Sequence, residues 1–291
     1  MALAAVCWGL SGGVGGILLS DGWDPFVVSF YRGAIGFLFV FAWLVLRPRR
    51  SGLSSGRLWF WSILAGVGVA GNFSFYFVSI AQGSVAVAAT LMYCAPVVVY
   101  LVSFVLKLES PSALKWVAIA LVMLGITLLT QVYDVNASSV TPLGVVAGLL
   151  AGLSYTVFIF SFKFAAPHGS PQAILSIAFA ILVAVLIWPV GAEQVVMVLG
   201  TSDWPLFAVL GVLGAGLSFV VYVIGLNHTT PALASIMAML EPITASLFGI
   251  VVLHQTLTGP QIMGMGLILI TVTVMRVVSP AGRPQPGLSG D

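Results

Sequence analysis

From Pro231 to Leu253 the chain reads "PALASIMAMLEPITASLFGIVVL", with Glu241 as its single charge. Stretches of this length and apolarity recur along almost the whole chain, and they constrain the fold more than any motif does. At 1.5 Å per residue, about 20 apolar residues in a helix cross the roughly 30 Å of a bilayer's hydrocarbon. Only 6% of the residues are charged, against roughly 25% in a soluble domain. Water is therefore not the main solvent of this chain, and the lipid bilayer is its first partner.

Reading between polar breaks gives ten runs, at 2–20, 24–46, 58–80, 84–106, 113–131, 141–163, 171–190, 203–225, 230–252 and 259–278. The breaks carry loop chemistry, as in "SDGWDP", "RPRRSGLSSGR", "LESPS", "VYDVNASS", "APHGSP", "TSDWP", "NHTTP" and "HQTLTGP". Those near "AQGS" and "HQTLT" hold no charge and are the softest. Residues 1–20 lack the basic start and small-residue cleavage pattern of a secretory signal, so they read as a span. That span opens at residue 2, which leaves open whether a few residues precede Met1. The tail, 279–291, is rich in Pro and Gly and is expected to be disordered.

If the ten runs alternate in direction, one side collects Arg47, Arg49, Arg50, Arg57, Lys107, Lys115, Lys163, Arg276 and Arg283. The other collects Asp21, Asp24, Asp134, Glu193 and Asp203, and no basic residue. Basic loops stay cytoplasmic, which places both termini inside. Adding or removing a span in the first half would split the basic residues between sides.

The chain also repeats itself. Sliding it until Pro96 lies on Pro242 brings Leu106 onto Val252, Ser110 onto Thr256 and Leu121 onto Leu267. "NFSFYF" (72–77) then matches "GLSFVV" (216–221) after a two-residue adjustment. The expected fold is all-α: two five-helix repeats, 1–131 and 141–278. Because five is odd, the second copy enters from the opposite side and the repeats are inverted. Inverted repeats are a common plan of secondary transporters, with the substrate site near the midplane between copies.

The motifs "CWGLSGG" (7–13), "DPFVVSFYRGAIGFL" (24–38) and "MLEPITASLFGIVVLHQTLTGPQIMGMGLILI" (239–270) resemble the drug/metabolite transporter superfamily, specifically EamA-type ten-helix transporters. More narrowly, the chain is similar to the YddG-type aromatic amino-acid exporters. The resemblance implies an inner-membrane, multi-pass exporter of amino acids or related metabolites. The first repeat departs from symmetry, with Ala95–Pro96 where the second has Glu241–Pro242, and Gln255 stands where the pattern has an acidic residue.

Proline has no N–H and its ring clashes with the carbonyl four residues back. Pro242 therefore frees the carbonyl of Ala238, and Pro96 that of Met92. These sites are either hinges or static kinks that shape the bundle. Glu241 lies midway along its span, where a carboxylate costs about 2.5–3.5 kcal/mol on insertion scales. Arg32 is the other charge at depth. The pair reads in three ways: proton coupling, contact with a substrate ammonium, or a structural ion pair.

Stripes of polar and aromatic residues mark inward faces, because a hydroxyl in hydrocarbon needs a partner. Tyr93 and Tyr100 lie on the face of Pro96, and Met239 and Ser246 on that of Pro242. Asn72 with Tyr76, Ser218 with Tyr222, Trp8 with Ser11, and Tyr155 complete the expected cavity set. Each could line a cavity or bond between helices. Trp23, Trp59, Trp61, Trp188 and Trp204 read as interface anchors. Gly144, Gly148 and Gly152, and Gly12 with Gly16, read as helix-packing rows.

Cys7 and Cys94 lie in apolar runs, and His168, His228 and His254 are scattered singly, so no metal site is expected. No catalytic constellation and no P-loop occurs, which argues against an enzyme or an ATP-driven pump. A net charge of +2 points to no nucleic-acid partner. The remaining classes are a carrier of small amphipathic molecules, acting as monomer or homodimer and with or without proton coupling, and a passive channel. No cofactor is implied.

Overall fold

The computed structural model of the chain describes residues 1–278 apart from 49–50, 111 and 136–139. The expected tail at 279–291 lies outside the described residues, as do Arg49, Arg50 and Arg283. Among the described residues the protein is all-helical. Its α-helices are α1 (Ala2–Ser20), α2 (Pro25–Leu46), α3 (Gly56–Ala81), α4 (Val85–Met92), α5 (Ala95–Val105), α6 (Ala113–Thr130) and α7 (Pro142–Ala165). They continue with α8 (Pro171–Leu186), α9 (Ala192–Val198), α10 (Trp204–Gly211), α11 (Ser218–Leu226), α12 (Pro231–Ala238), α13 (Leu240–Leu253) and α14 (Gly259–Val278).

Nine helical segments among the described residues are long and apolar enough to cross a bilayer. Three of these are composite rods: Val85–Val105 from α4 and α5, Trp204–Leu226 from α10 and α11, and Pro231–Leu253 from α12 and α13. Helix α8 is equally apolar but shorter, at 16 residues. The short α9 was not foreseen; it fills the break between α8 and α10.

The polar breaks both end one helix and start the next. Asp24, Thr141, Ser170 and Thr230 each stand before a proline at the first helical position, and each side chain accepts a backbone N–H of the first turn. That is the favoured N-terminal chemistry of a helix. Asp24 caps most tightly, with Phe26 N at 2.8 Å. Ser55 and Ser84 cap α3 and α4 in the same way.

Helix α3 packs on α7 and α8, and α2 on α8. Helix α1 packs on α13, α4 and α5 on α7, α12 on α5, and α6 on α14. The α10–α11 rod lies against α1 and α2. Glycine makes the tightest of these crossings. A Cβ on Gly9 would press into the Glu241 carbonyl and Thr244, and one on Gly13 into the ring of Phe248, so α1 and α13 touch backbone to backbone. Gly144, Gly148 and Gly152 serve α7 likewise, against Gln82, Leu91 and Met92. The row Gly12–Gly16 does not pack: nothing lies within 4 Å of where its Cβ atoms would be. The contact face of α1 is instead Gly9–Gly13, one helical step round.

The outer surface suits lipid, with Leu38, Phe60, Val105, Ile262 and Ile270 all well exposed. Trp59, Trp188 and Trp204 face outward. Trp23 and Trp61 are tied inward, Trp23 by donating to Asp203 Oδ2 (3.0 Å) and Trp61 by packing on Phe164.

Candidate functional site

Two rods are interrupted where proline requires it. Pro96 stands at the start of α5, and the preceding turn closes through Cys94 N to Leu91 O (3.2 Å) instead of a regular α bond. Met239 separates α12 from α13, its N–H reaching back only to Ile236 O (3.1 Å). The second break has an electrostatic consequence. It puts Glu241 in the first turn of a new helix, where the dipole favours negative charge.

Beside both breaks lies a cavity lined by Trp8 (α1), Arg32 (α2), Asn72 and Phe73 (α3), Met92 (α4), Tyr155 and Phe158 (α7), Phe219 (α11) and Glu241 (α13). Both halves of the chain contribute. The room inside is small, about 40 Å³ for the centres of water molecules.

Glu241 and Arg32 line the same cavity without forming an ion pair. Among the described residues the salt bridge is Lys115–Glu109, at one end of the bundle. The direct Arg32–Glu241 pair expected as one reading is therefore absent, because Arg32 is engaged elsewhere. Its Nε and Nη2 both donate to the Gly214 carbonyl, at 3.2 and 2.9 Å, and its guanidinium lies 5.2 Å from the centre of the Phe73 ring. Nη1, and the carboxylate of Glu241, have no hydrogen-bond partner among the described residues. The cavity thus presents a cation and an anion, each with unused bonding capacity. Trp8 Nε1 and the Tyr155 hydroxyl add two buried polar groups without a partner.

Of the residues singled out from the sequence, Trp8, Arg32, Asn72, Tyr155 and Glu241 meet at this cavity. Tyr76 and Tyr93 are not on the lining. Tyr222 and Met239 are fully buried behind it, Tyr222 with its ring 4.9 Å from that of Trp8. Ser11, Ser218 and Ser246 spend their hydroxyls on their own helices, on Trp8 O, Gly214 O and Pro242 O. Tyr100 belongs to the end of the bundle, where its hydroxyl accepts from Ser112 N (2.6 Å). Its spacing from Tyr93 presumed one continuous helix, and the break between α4 and α5 turns it away.

Phe73, Met92, Phe158 and Phe219 complete the wall and were not singled out. An apolar side chain facing a cavity looks, in sequence, like one facing lipid. The available signal was adjacency: Phe73 follows Asn72, and Phe219 follows Ser218.

A family profile described as "EamA-like transporter family" matches residues 1–131 and 142–277. An uncharacterized transporter of Archaeoglobus fulgidus is 28% identical over 268 residues, covering 91% of this chain and 92% of that protein. The threonine/homoserine exporter RhtA of Escherichia coli K12 is 27% identical over 210 residues, covering 70% of this chain and 66% of RhtA. A crystal structure superposes with a TM-score of 0.75 over 95% of both chains at 18% identity, a likeness of fold alone.

Proposed function

The chain belongs to the EamA-like transporter family, and on that premise we propose that it is a secondary transporter of amino acids and related small amphipathic metabolites, exporting them by alternating access around the central cavity. That it is a multi-pass membrane transporter, and not an enzyme, follows from the family and from relatives named as transporters. The substrate class rests on one observation: unpaired Arg32 and Glu241 face one small, aromatic-walled space. An α-amino acid carries a carboxylate and an ammonium on adjacent atoms. Arg32 Nη1 suits the first, Glu241 the second, and Trp8, Phe158 and Phe219 the side chain. A carboxylate and a guanidinium held apart at this depth are costly, and a zwitterion neutralises both at once. The exporter direction is supported by the printed name of RhtA.

The packing supports ten spans in two inverted repeats, counting α8 as the seventh. Exchanging each span for the one five places away carries the most extensive helix contacts onto one another. The third on the sixth becomes the eighth on the first, and the first on the ninth becomes the sixth on the fourth. End contacts agree with ten alternating crossings. Ser170 N reaches Ser51 O, and Lys163 reaches Leu226 O and Thr229 O, at the end rich in basic residues. Trp23 reaches Asp203, and Thr141 N reaches Gln82 O, at the other. That orientation puts both termini in the cytoplasm of a cell with this protein in its inner membrane. The interruptions at Pro96 and Pro242 act as hinges that open one end while the other stays closed.

Exchange in proteoliposomes tests the reading. Vesicles preloaded with labelled phenylalanine are challenged outside with unlabelled amino acids, then with cationic drugs, at several pH values. Saturable acceleration by amino acids is expected. Acceleration by cationic drugs or other metabolites alone would replace the substrate class, and a non-saturating leak would replace the carrier with a channel. A dependence on a pH gradient would reveal proton coupling.

A further inference from the structure

The α10–α11 rod is not a regular helix. Between Val212 and Leu217 it widens into a π-helical segment, a distortion that concentrates at functional sites. Its effect here can be traced to one atom. In an α-helix the N–H of Ser218 would donate to the Gly214 carbonyl. In the wide turn it reaches one residue further back, to Leu213 O. Gly214 O is left to accept three other bonds: Arg32 Nε, Arg32 Nη2, and Ser218 Oγ at 2.8 Å.

We infer that the wide turn is the positioning device for Arg32: the Gly214 carbonyl it releases clamps the Nε/Nη2 edge of the guanidinium and turns Nη1 into the cavity to receive a substrate carboxylate. The inference rests on the zwitterion reading above and adds the residue that makes it work. Four observations converge on it. Arg32 lines the cavity with Glu241, yet it does not swing across to it. Two of its N–H groups are committed to one backbone oxygen, and its face is held on Phe73. Position 214 has no room for a side chain: a Cβ there would come within 2.9 Å of Arg32 Nε and closer still to Ser11. Ser11 is fully buried with its hydroxyl turned to its own helix, so it bounds the clamp without sharing it.

Gly214→Ala alone would collide with both Ser11 and Arg32, and loss of fold would be uninformative. Pairing it with Ser11→Gly removes the first collision and leaves a methyl against the guanidinium. The experiment compares exchange of phenylalanine with that of phenethylamine, which lacks only the carboxylate, in reconstituted wild type, Ser11→Gly, Ser11→Gly/Gly214→Ala and Ser218→Ala. The wild type is expected to favour phenylalanine. In the double variant KM for phenylalanine should rise about 10- to 100-fold, the loss of one bond to a charged group, while KM for phenethylamine stays unchanged. Ser11→Gly and Ser218→Ala keep both clamp bonds and should leave KM for phenylalanine within about twofold of wild type (~0.4 kcal/mol).

Three results overturn the inference. In the first, the double variant raises KM for both compounds equally, which is a structural effect. In the second, it leaves phenylalanine unaffected. In the third, Ser218→Ala, which is expected to fold normally, itself raises KM for phenylalanine tenfold or more, which would assign the role to the hydroxyl. A wild type that does not distinguish the two compounds would instead overturn the zwitterion reading beneath it.

Discussion

Glu241→Gln should weaken transport and strengthen the fold, and the opposition of the two signs is the test. Glutamine keeps the size of the side chain and removes its charge. The carboxylate has no ion-pair partner among the described residues, since the guanidinium of Arg32 is held by Gly214. No bond is therefore lost in the empty protein. A charge that costs about 2.5–3.5 kcal/mol at this depth is exchanged for a neutral amide. The helix N-terminus at Leu240 offsets part of that cost, about 0.3–1 kcal/mol. A net gain of about 1.5–3 kcal/mol is expected, seen as a higher melting temperature by tryptophan fluorescence in detergent. With substrate present the sign reverses. The contact between carboxylate and ammonium is worth about 1.5–3 kcal/mol, so KM should rise roughly 10- to 150-fold. A variant that melts lower than wild type would refute the reasoning, because it would show that Glu241 serves the fold as a structural charge. Unchanged exchange at every pH would refute it from the other side.

Further outcomes follow from the same geometry. Pro242→Ala restores an N–H opposite the Ala238 carbonyl, so the second hinge should stiffen; turnover is expected to fall about tenfold, or ~1.4 kcal/mol on the barrier, with KM unchanged in the exchange assay. Lys163→Met removes the donor to Leu226 O and Thr229 O (2.7 and 2.9 Å) and should lower stability by about 1.5–3 kcal/mol in a melting series. Gly9→Ala forces a methyl into the Glu241 carbonyl; overpacking of about 1–3 kcal/mol should appear as a lower melting temperature, while Gly12→Ala, on the open face, leaves it unchanged. Phe158→Leu keeps the wall apolar but smaller, and should raise KM for phenylalanine more than for alanine when the two compete for exchange.

The sequence carried nine of the ten runs to within about two residues, because hydrophobic length and Ser/Thr/Asp–Pro breaks are strong local signals. Only the seventh, read as 171–190, ends early, at Leu186. Thr230–Pro231 and Ser170–Pro171 start helices where they were read to start. The interruptions were legible for the same reason, since a missing N–H is a property of one residue. The site was half legible. Arg32, Glu241 and Asn72 stood out because polarity at depth is expensive, whereas Phe73 and Phe158 are indistinguishable from lipid-facing residues until the helices are packed. What was not legible was register. Tyr100 and the Gly12–Gly16 row were placed by regular 3.6-residue spacing, and a break or a one-step rotation moves such residues to another face. The wide turn at Val212–Leu217 is the same difficulty in its strongest form: "VLGAGL" reads as ordinary small-residue packing, and the carbonyl it releases has no signature in side chains.

A space this small must enlarge before it can admit a substrate the size of phenylalanine, so the loaded and empty proteins differ in molecular volume. Entry of substrate and movement of the helices are then one event. The bonds to Arg32 and Glu241 must do work against the packing of seven helices, and measured affinity falls short of what those bonds would give in a preformed site. Pressure reads this work directly. Compression disfavours the state with more unfilled volume, so hydrostatic pressure should slow exchange long before it unfolds the bundle, and the slope of rate against pressure gives the volume by which the protein swells around its cargo.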